Sequence, residues 1–441
     1  MSKASGIRRQ ASALARATAI VGCLLPLAAI AARQARPQAA DTSVAAVRNS
    51  PKFAAAIADI DRNHDRLVAD IIALTEIPSP PFKEDKRAAA YLAMFRAAGL
   101  TNVDRDAEGN VLGLRKGTGT GPLIAIAAHL DTVFPEGTDV HVKRNGTRLS
   151  APGVGDDTRS LAVLLAMIRA MNAAGIQTAS DILFVGDVGE EGPGDLRGMK
   201  QLFMKGAYKD RIKMFISMDG TGDGHEITTG AVGSKRYRVT FSGPGGHSYG
   251  AFGLVNPAFA MGNAAAKFSR ITVPSSPKTT FNIGVVGGGT SINSIPSNVW
   301  MDVDMRSESP AELAKLEKTF LAMMKQAADE ENAARSTASG KITVDAKLIG
   351  DRPSGQTAQT TTLVQTAAAA VRAMQMQPSF KFSSTDSNIP ISLGIPAITI
   401  DSGGNGGDEH SPSEWIDVEK GPSVKGITAA LLTLLALAGG R

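Results

Sequence analysis

From Leu123 onward the chain alternates short, continuously apolar runs with longer stretches of helical period: LIAIAAHL (123–130), LAVLLAMIRAMNAAG (161–175), DILFVGDV (181–188), DLRGMKQLFMKG (195–206) and KMFISMDG (213–220). The first run follows Gly121-Pro122. An unbroken apolar run between turn residues reads as a strand covered on both faces, and strands alternating with helices signal βαβ units and a mostly parallel sheet. Upstream, 52–75 has helical period and SPPFKEDKRAAAYLAMFRAAGL (79–100) opens another helix after a Pro-Pro break. Near Ile227 the pattern changes. KRYRVTFSG (235–243) and NVWMDVDMRS (298–307) alternate in period two, and helices over NPAFAMGNAAAKFSR (256–270) and PAELAKLEKTFLAMMKQAADEENA (310–333) separate the strands. Half-buried antiparallel strands alternate in this way. The chain then returns to a helix, a strand at PAITIDSG (396–403) and a last amphipathic helix from Pro422.

The predicted fold is therefore α/β: a mostly parallel central sheet with helices on both faces, contributed by 41–227 and 347–441, interrupted by an inserted α+β domain at 228–346. The 441 residues suffice for two cores. Residues 1–40 stand apart. Lys3, Arg8, Arg9 and Arg16 precede ATAIVGCLLPLAAIAA (17–32), and small and polar residues follow. That order predicts a secretory signal peptide cut after Ala31, Ala32 or Ala40, and hence a periplasmic or secreted protein; the stretch is short for a membrane span. IVGC at 20–23 resembles a lipobox weakly, which makes a lipid-anchored form through Cys23 the alternative.

Removing the leader changes the charge balance. It holds six of the 47 Lys and Arg and none of the 42 Asp and Glu, so the remainder carries 41 bases against 42 acids. The basic excess belongs to the leader, and no nucleic-acid footprint remains. The single cysteine leaves with it, which excludes thiol catalysis and cysteine metal sites from the mature chain.

Polar clusters close the predicted strands: His129 and Asp131, PGVGDDTRS (152–160), GDVGEEGPG (186–194), SMDGTGDG (217–224) and GGDEHSPSEW (406–415). In open α/β sheets, sites assemble in the crevice beyond the strands' carboxyl ends. His129 and Asp131 face the same side, either as a ligand with its orienting carboxylate or as a polar strand terminus. Singly, Asp156 or Asp157 is a helix N-cap, Glu190-Glu191 a solvated strand end, Asp219 a turn residue and His410 a loop histidine. Together, two imidazoles and three or four carboxylates on one face call for a cation. Imidazole and carboxylate without thiolate suit zinc, or cobalt or manganese.

The order HxD, then GxxD at a helix start, then EE-G, a strand-end Asp, GGH in the insert and a late EHSPSEW resembles the di-zinc metallopeptidase family of peptidase T, aminoacylase and glutamate carboxypeptidase, most closely its peptidase T-like members. The likeness spans nearly all of 50–441. It implies two zinc ions, with His129 and Asp219 on one, Glu191 and His410 on the other, Asp156 bridging both and Asp131 orienting His129. Glu190 is then the general base. Where the family commonly has a lysine two residues after the bridging aspartate, this chain has Thr158, then Arg159. Asp156 and Asp157 thus remain alternatives for the bridge, and the count from Gly153 favours Asp156. The insert becomes a lid that often also forms a homodimer interface. In it His247 helps hold the oxyanion, with Asn293 nearby, and Arg306 grips a substrate carboxylate through its planar fork.

The expectation is an exported, metal-dependent hydrolase of short peptides, an aminopeptidase of peptidase T type. A carboxypeptidase or N-acyl amino acid amidohydrolase is the alternative on the same site. A non-catalytic binding module is disfavoured by the intact Glu190, and a phosphate loop at GVVGGGTS (284–291) by the lack of a following lysine.

Overall fold

A computed structural model describes residues 39–441. The expected leader, with Cys23 and cleavage after Ala31 or Ala32, lies outside the described residues. A helix over 39–48 sends Ala40, Val44 and Val47 into the main core, so a cut after Ala40 would take one of these away.

Nine strands form the central sheet, in the spatial order Thr101–Arg105, Val111–Arg115, Ile182–Asp187, Leu123–His129, Ile212–Met218, Ala397–Ile400, Glu226–Ala231 and Gly355–Gln356, with Ser379–Ser383 also pairing to Glu226–Ala231. The four middle strands, from Ile182–Asp187 to Ala397–Ile400, are mutually parallel, and antiparallel pairs flank them on both sides. The unbroken apolar runs have their reason in this arrangement. Ile124, Ile126 and Ala128 pack into a core with the helices His64–Thr75 and Thr158–Ala173, while Leu123, Ala125 and Ala127 pack on the other face with Leu196, Met199 and Phe203. With both faces covered, no position along the strand is left for a polar residue until it ends at His129.

The last helix, Lys420–Ala438, departs from the amphipathic expectation. It is long and apolar enough to cross a membrane by length and composition, yet it is buried for most of its length against the helices Thr362–Ala373, Pro51–Arg62 and Thr158–Ala173. It is a core helix, wrapped on nearly every side, and therefore has no broad polar stripe.

The insert has its own antiparallel sheet, ordered Thr279–Gly288, Asn298–Ser307, Gly233–Ser242 and Thr343–Arg352, covered on one face by Pro257–Phe268 and Pro310–Ala334. Val299, Met301, Val303 and Met305 enter its core beside Phe241 and Phe320, while Trp300, Asp302, Asp304 and Arg306 take the other face. Its sheet runs from Gly233 to Arg352. The expected limits at 228 and 346 therefore fall inside strands, the first in the central sheet and the second in the insert's last strand. That strand is an edge strand with mostly exposed residues, so its apolar pattern fades before it ends.

Candidate metal centre

Every polar cluster at a strand end converges at one cleft. His129 closes its strand with a ring 1 % exposed. Its Nδ1 donates to the Asp131 carbonyl at 3.0 Å, which turns Nε2 toward Asp156 Oδ1 at 2.9 Å. The Asp131 carboxylate lies 3.7 Å from the same Nδ1, as an ion-pair partner of the ring, and it also accepts from the backbone N–H groups of Glu190 at 3.0 Å and Glu191 at 2.9 Å. One dipeptide turn thus orients His129 by its carbonyl and ties down the Glu190-Glu191 segment by its carboxylate.

Asp156 sits between the two histidines, with Oδ1 at 2.9 Å from His129 Nε2 and Oδ2 at 2.9 Å from His410 Nε2. Asp157 turns away, accepting from the backbone of His129 at 3.1 Å and of Gly220 at 3.3 Å. The geometry separates the two alternatives: Asp156 is the shared group and Asp157 a brace. The preceding loop depends on Gly153 at φ +75°, where a Cβ would stand 2.6 Å from Thr132 Cγ2. Glycine alone lets the loop pass so close to the Asp131-Thr132 turn in that conformation. A residue missed in the sequence holds the loop from the other side. Glu414, 1 % exposed, accepts from Gly153 N at 2.8 Å, Gly155 N at 2.8 Å and Asp156 N at 2.9 Å.

The ligand atoms of His129, Asp156 and Asp219 lie within 4.8 Å of one another, as do those of Asp156, Glu191 and His410. His410 holds its place at φ +62°, left-handed backbone of the kind that gathers at functional sites. Burial, with the charges of its neighbours, pushes the Asp219 carboxyl well up and that of Glu191 to about 7. Hydrogen bonds to Asp156 and Glu191 push His410 to about 11. His129 is raised despite its burial, by Asp131 and Asp156. A divalent cation would relieve the crowding of the carboxylates and take the place of the imidazole protons. Two nitrogen donors and several carboxylates, with Asp156 common to two of the groups, are a donor set that would suit a pair of divalent ions.

The cleft, about 390 Å³, is lined by Asp156, Glu190, Glu191, Asp219 and His410, facing Arg236 and Arg306 of the insert. Asp304 accepts from Arg306 Nε at 2.7 Å and Arg236 Nε at 3.1 Å and so steadies both. Arg352, not singled out in the sequence, also lines the cleft and donates to Glu190 Oε1 at 3.0 Å. A larger groove of about 730 Å³ lies between residues 43–52 and 436–441; its lining carries no acidic side chain and none of the residues of this cleft.

His247 and Asn293 are not at the cleft. They sit together on a two-stranded ribbon, Gly246–His247 with Ser294–Ile295, where Ser248 N donates to the Asn293 carbonyl at 2.9 Å, and both are exposed. The ribbon continues from the far end of the strands Gly233–Ser242 and Asn298–Ser307, whose near ends carry Arg236 and Arg306. Ten residues of strand reach roughly 30 Å, which sets the ribbon well apart from its own chain's metal ligands.

Comparison with known proteins follows this geometry. The profile of Peptidase family M20/M25/M40 matches residues 125–434. A Bacillus subtilis (strain 168) protein of uncharacterised role, YqjE, is 26 % identical over 292 residues, 60 % of this chain and 73 % of that one. Among solved structures, aminopeptidase PepT from Bacillus cereus superposes with a TM-score of 0.68 at 22 % identity, covering 85 % of this chain and 99 % of that one. The Bacillus subtilis YxeP protein, a dinuclear metal-binding peptidase, gives 0.62 at 17 % identity, covering 85 % and 99 %.

Proposed function

The chain belongs to Peptidase family M20/M25/M40, and from that premise we propose that this metal-dependent hydrolase is an aminopeptidase acting on short peptides, with two zinc ions, or cobalt or manganese in their place. The single observation that carries the reading is the Asp156 carboxylate, which offers one oxygen to each histidine and belongs to two of the three candidate ligand triads. His129 and Asp219 would hold one ion and Glu191 and His410 the other. Bound metal supplies Lewis acidity toward the scissile carbonyl and toward the attacking water. Glu190, in the same cleft, lies within ligand distance of His129 and Glu191 but in neither group that contains Asp156; in this reading it takes the proton from that water and delivers it to the leaving amine. Likeness to the Bacillus cereus aminopeptidase favours a free amino terminus on the substrate. The second reading is a carboxypeptidase or N-acyl amino acid amidohydrolase on the same site; Arg306 in the cleft suits it equally, because its fork would meet any substrate with a free carboxylate.

His247 and Asn293 enter this scheme from a second copy, in a homodimer formed through the insert. The exposed Tyr249, Phe252 and Ile292 beside them, with Val285 and Val286 on the insert's other edge strand, supply apolar surface for it. The pattern of residues 1–40 supports export of the enzyme.

The test uses Glu190→Gln and Glu191→Gln on free, N-blocked and C-amidated di- and tripeptides, with metal analysis of each variant. Glu190→Gln should keep up to two ions per chain and lose turnover by roughly 10²- to 10⁴-fold. Glu191→Gln should lose or weaken a metal. Identical behaviour of the two variants in both assays would refute the roles given to them, and undiminished turnover after exhaustive chelation would refute the metal reading.

A further inference from the structure

We infer that Arg352 is a positioning residue for Glu190, through which the orientation of the insert sets the placement of the base; this rests on the reading of Glu190 as general base. Arg352 is the last residue of the insert's last strand, just before Gly355–Gln356 rejoins the central sheet. From this crossing its guanidinium reaches back into the cleft. Nη1 donates to Glu190 Oε1 at 3.0 Å and to Ser384 Oγ at 3.2 Å, and Nη2 donates to the Glu190 carbonyl. One rigid fork thus holds the side chain and the main chain of the same residue, which a lysine cannot do.

The neighbouring contacts extend the grip to the whole segment after the base. Asp351 N donates to Asp195 Oδ1 at 2.9 Å, and Arg236 Nη1 donates to the Gly192 carbonyl at 3.0 Å. The two crossings between the domains are themselves in contact, since a Cβ on Gly233 would stand 2.6 Å from Ser354 N and 2.9 Å from the Arg352 carbonyl. The two adjacent glutamates are therefore anchored differently. Both take their backbone position from Asp131 in the central domain, but only the Glu190 carboxylate is held by the insert. The ion pair is almost fully buried, at 4 % and 7 % side-chain exposure. Such a pair adds little net stability over an apolar one of similar shape, but it imposes a geometry. Arg306, by contrast, is 42 % exposed and is tied to Asp304 through Nε. The exposed arginine is suited to meet substrate and the buried one to hold the base.

The experiment is a double-mutant cycle of Arg352→Gln with Glu190→Gln, read as kcat and KM on a free tripeptide and its C-amidated form, with metal content of every variant. Arg352→Lys, which keeps the charge but not the fork, runs in parallel and supports the same comparison if the glutamine variant folds poorly. Arg352→Gln should lower kcat about 10²-fold, within the range of a general base's contribution, with KM and metal content near wild type. In the Glu190→Gln background it should cause no further loss. Losses that multiply in the double mutant would overturn the inference, as would a rise in KM confined to substrates with a free carboxylate, which would make Arg352 a substrate ligand. Wild-type turnover by Glu190→Gln alone would instead remove the base reading, and this inference with it.

Discussion

Glu414 gives the sharpest test of how the bridging position is built. Its carboxylate is the acceptor for three donors of one loop, Gly153 N and Gly155 N at 2.8 Å and Asp156 N at 2.9 Å, and the side chain is buried. Glu414→Ala would strand three N–H groups on the segment that carries Asp156. A buried donor left unpaired costs roughly 1–3 kcal/mol, so three of them cost the loop about 3–9 kcal/mol if water does not enter and about half that if it does. Glu414→Gln is milder. Its amide oxygen can replace Oε1, which serves Gly155 and Asp156, but its NH₂ faces the Gly153 N–H that Oε2 accepted, so one contact of about 1–2 kcal/mol is lost.

The loop cannot absorb this loss without moving Asp156, because Gly153 is already pressed against Thr132 on the opposite side. The cost should therefore appear as metal affinity. Groups that orient ligands without touching the metal typically change affinity by about 10- to 100-fold, and Asp156 belongs to both proposed ligand sets, so both ions should weaken together. Zinc titration against a competing chelator would measure this, with thermal unfolding of the chelated and loaded forms alongside. The expected order of affinity is wild type, then Glu414→Gln, then Glu414→Ala. A Glu414→Ala protein that binds both ions with wild-type affinity would show that the brace is incidental to the site.

Two further outcomes follow from the same geometry. Without metal, hydrogen bonds to Asp156 and Glu191 push His410 up to about 11 and burial pushes Glu191 up to about 7; at neutral pH the imidazole is charged, ligation needs it neutral, and so metal binding should expel protons and tighten as pH rises from 6 to 9. Calorimetry in two buffers of different ionisation enthalpy would detect the release, and identical heats would refute it. The second outcome concerns export: the mature N-terminus should fall between about residues 32 and 41, and a start upstream of Ala40 would keep that residue's core contacts. Mass spectrometry of the protein from its native host that found Ser2 at the start would refute secretion, whereas lipid on Cys23 would support the anchored form.

Much of this arrangement was legible in the sequence because it is local. A strand buried on both faces must be apolar throughout, so the first polar residue, such as His129 after Ala128, marks where the strand leaves the core and where a site can form. The family resemblance rests on the same signals, taken in order. The residues that escaped notice act over long separations. Glu414 meets Asp156 across 258 positions and Arg352 meets Glu190 across 162. In a sequence, a buried charge with a distant partner looks like a solvated one, since the partner leaves no periodicity beside it. Lys420–Ala438 shows the same limit from the apolar side: its helical period is plain, but whether one face or all faces are covered depends on three other helices.

Asp131 and His247 show how far a correct local rule reaches. The period of two rightly placed Asp131 on the side of His129, yet its carboxylate also accepts from the backbone of Glu190 and Glu191, because a neighbouring strand end delivered two N–H groups to it. For His247 the sequence marks the residue but not the distance, which is fixed by the length of the strands beneath it. Strands of ten residues carry the ribbon roughly 30 Å away. Shorter strands would keep His247 near its own chain's cleft, whereas with these it would meet substrate only if the domains close or, as proposed, a second copy supplies it. The strand length that sets His247 apart from its own site is thus the feature on which the proposed part of a second copy rests.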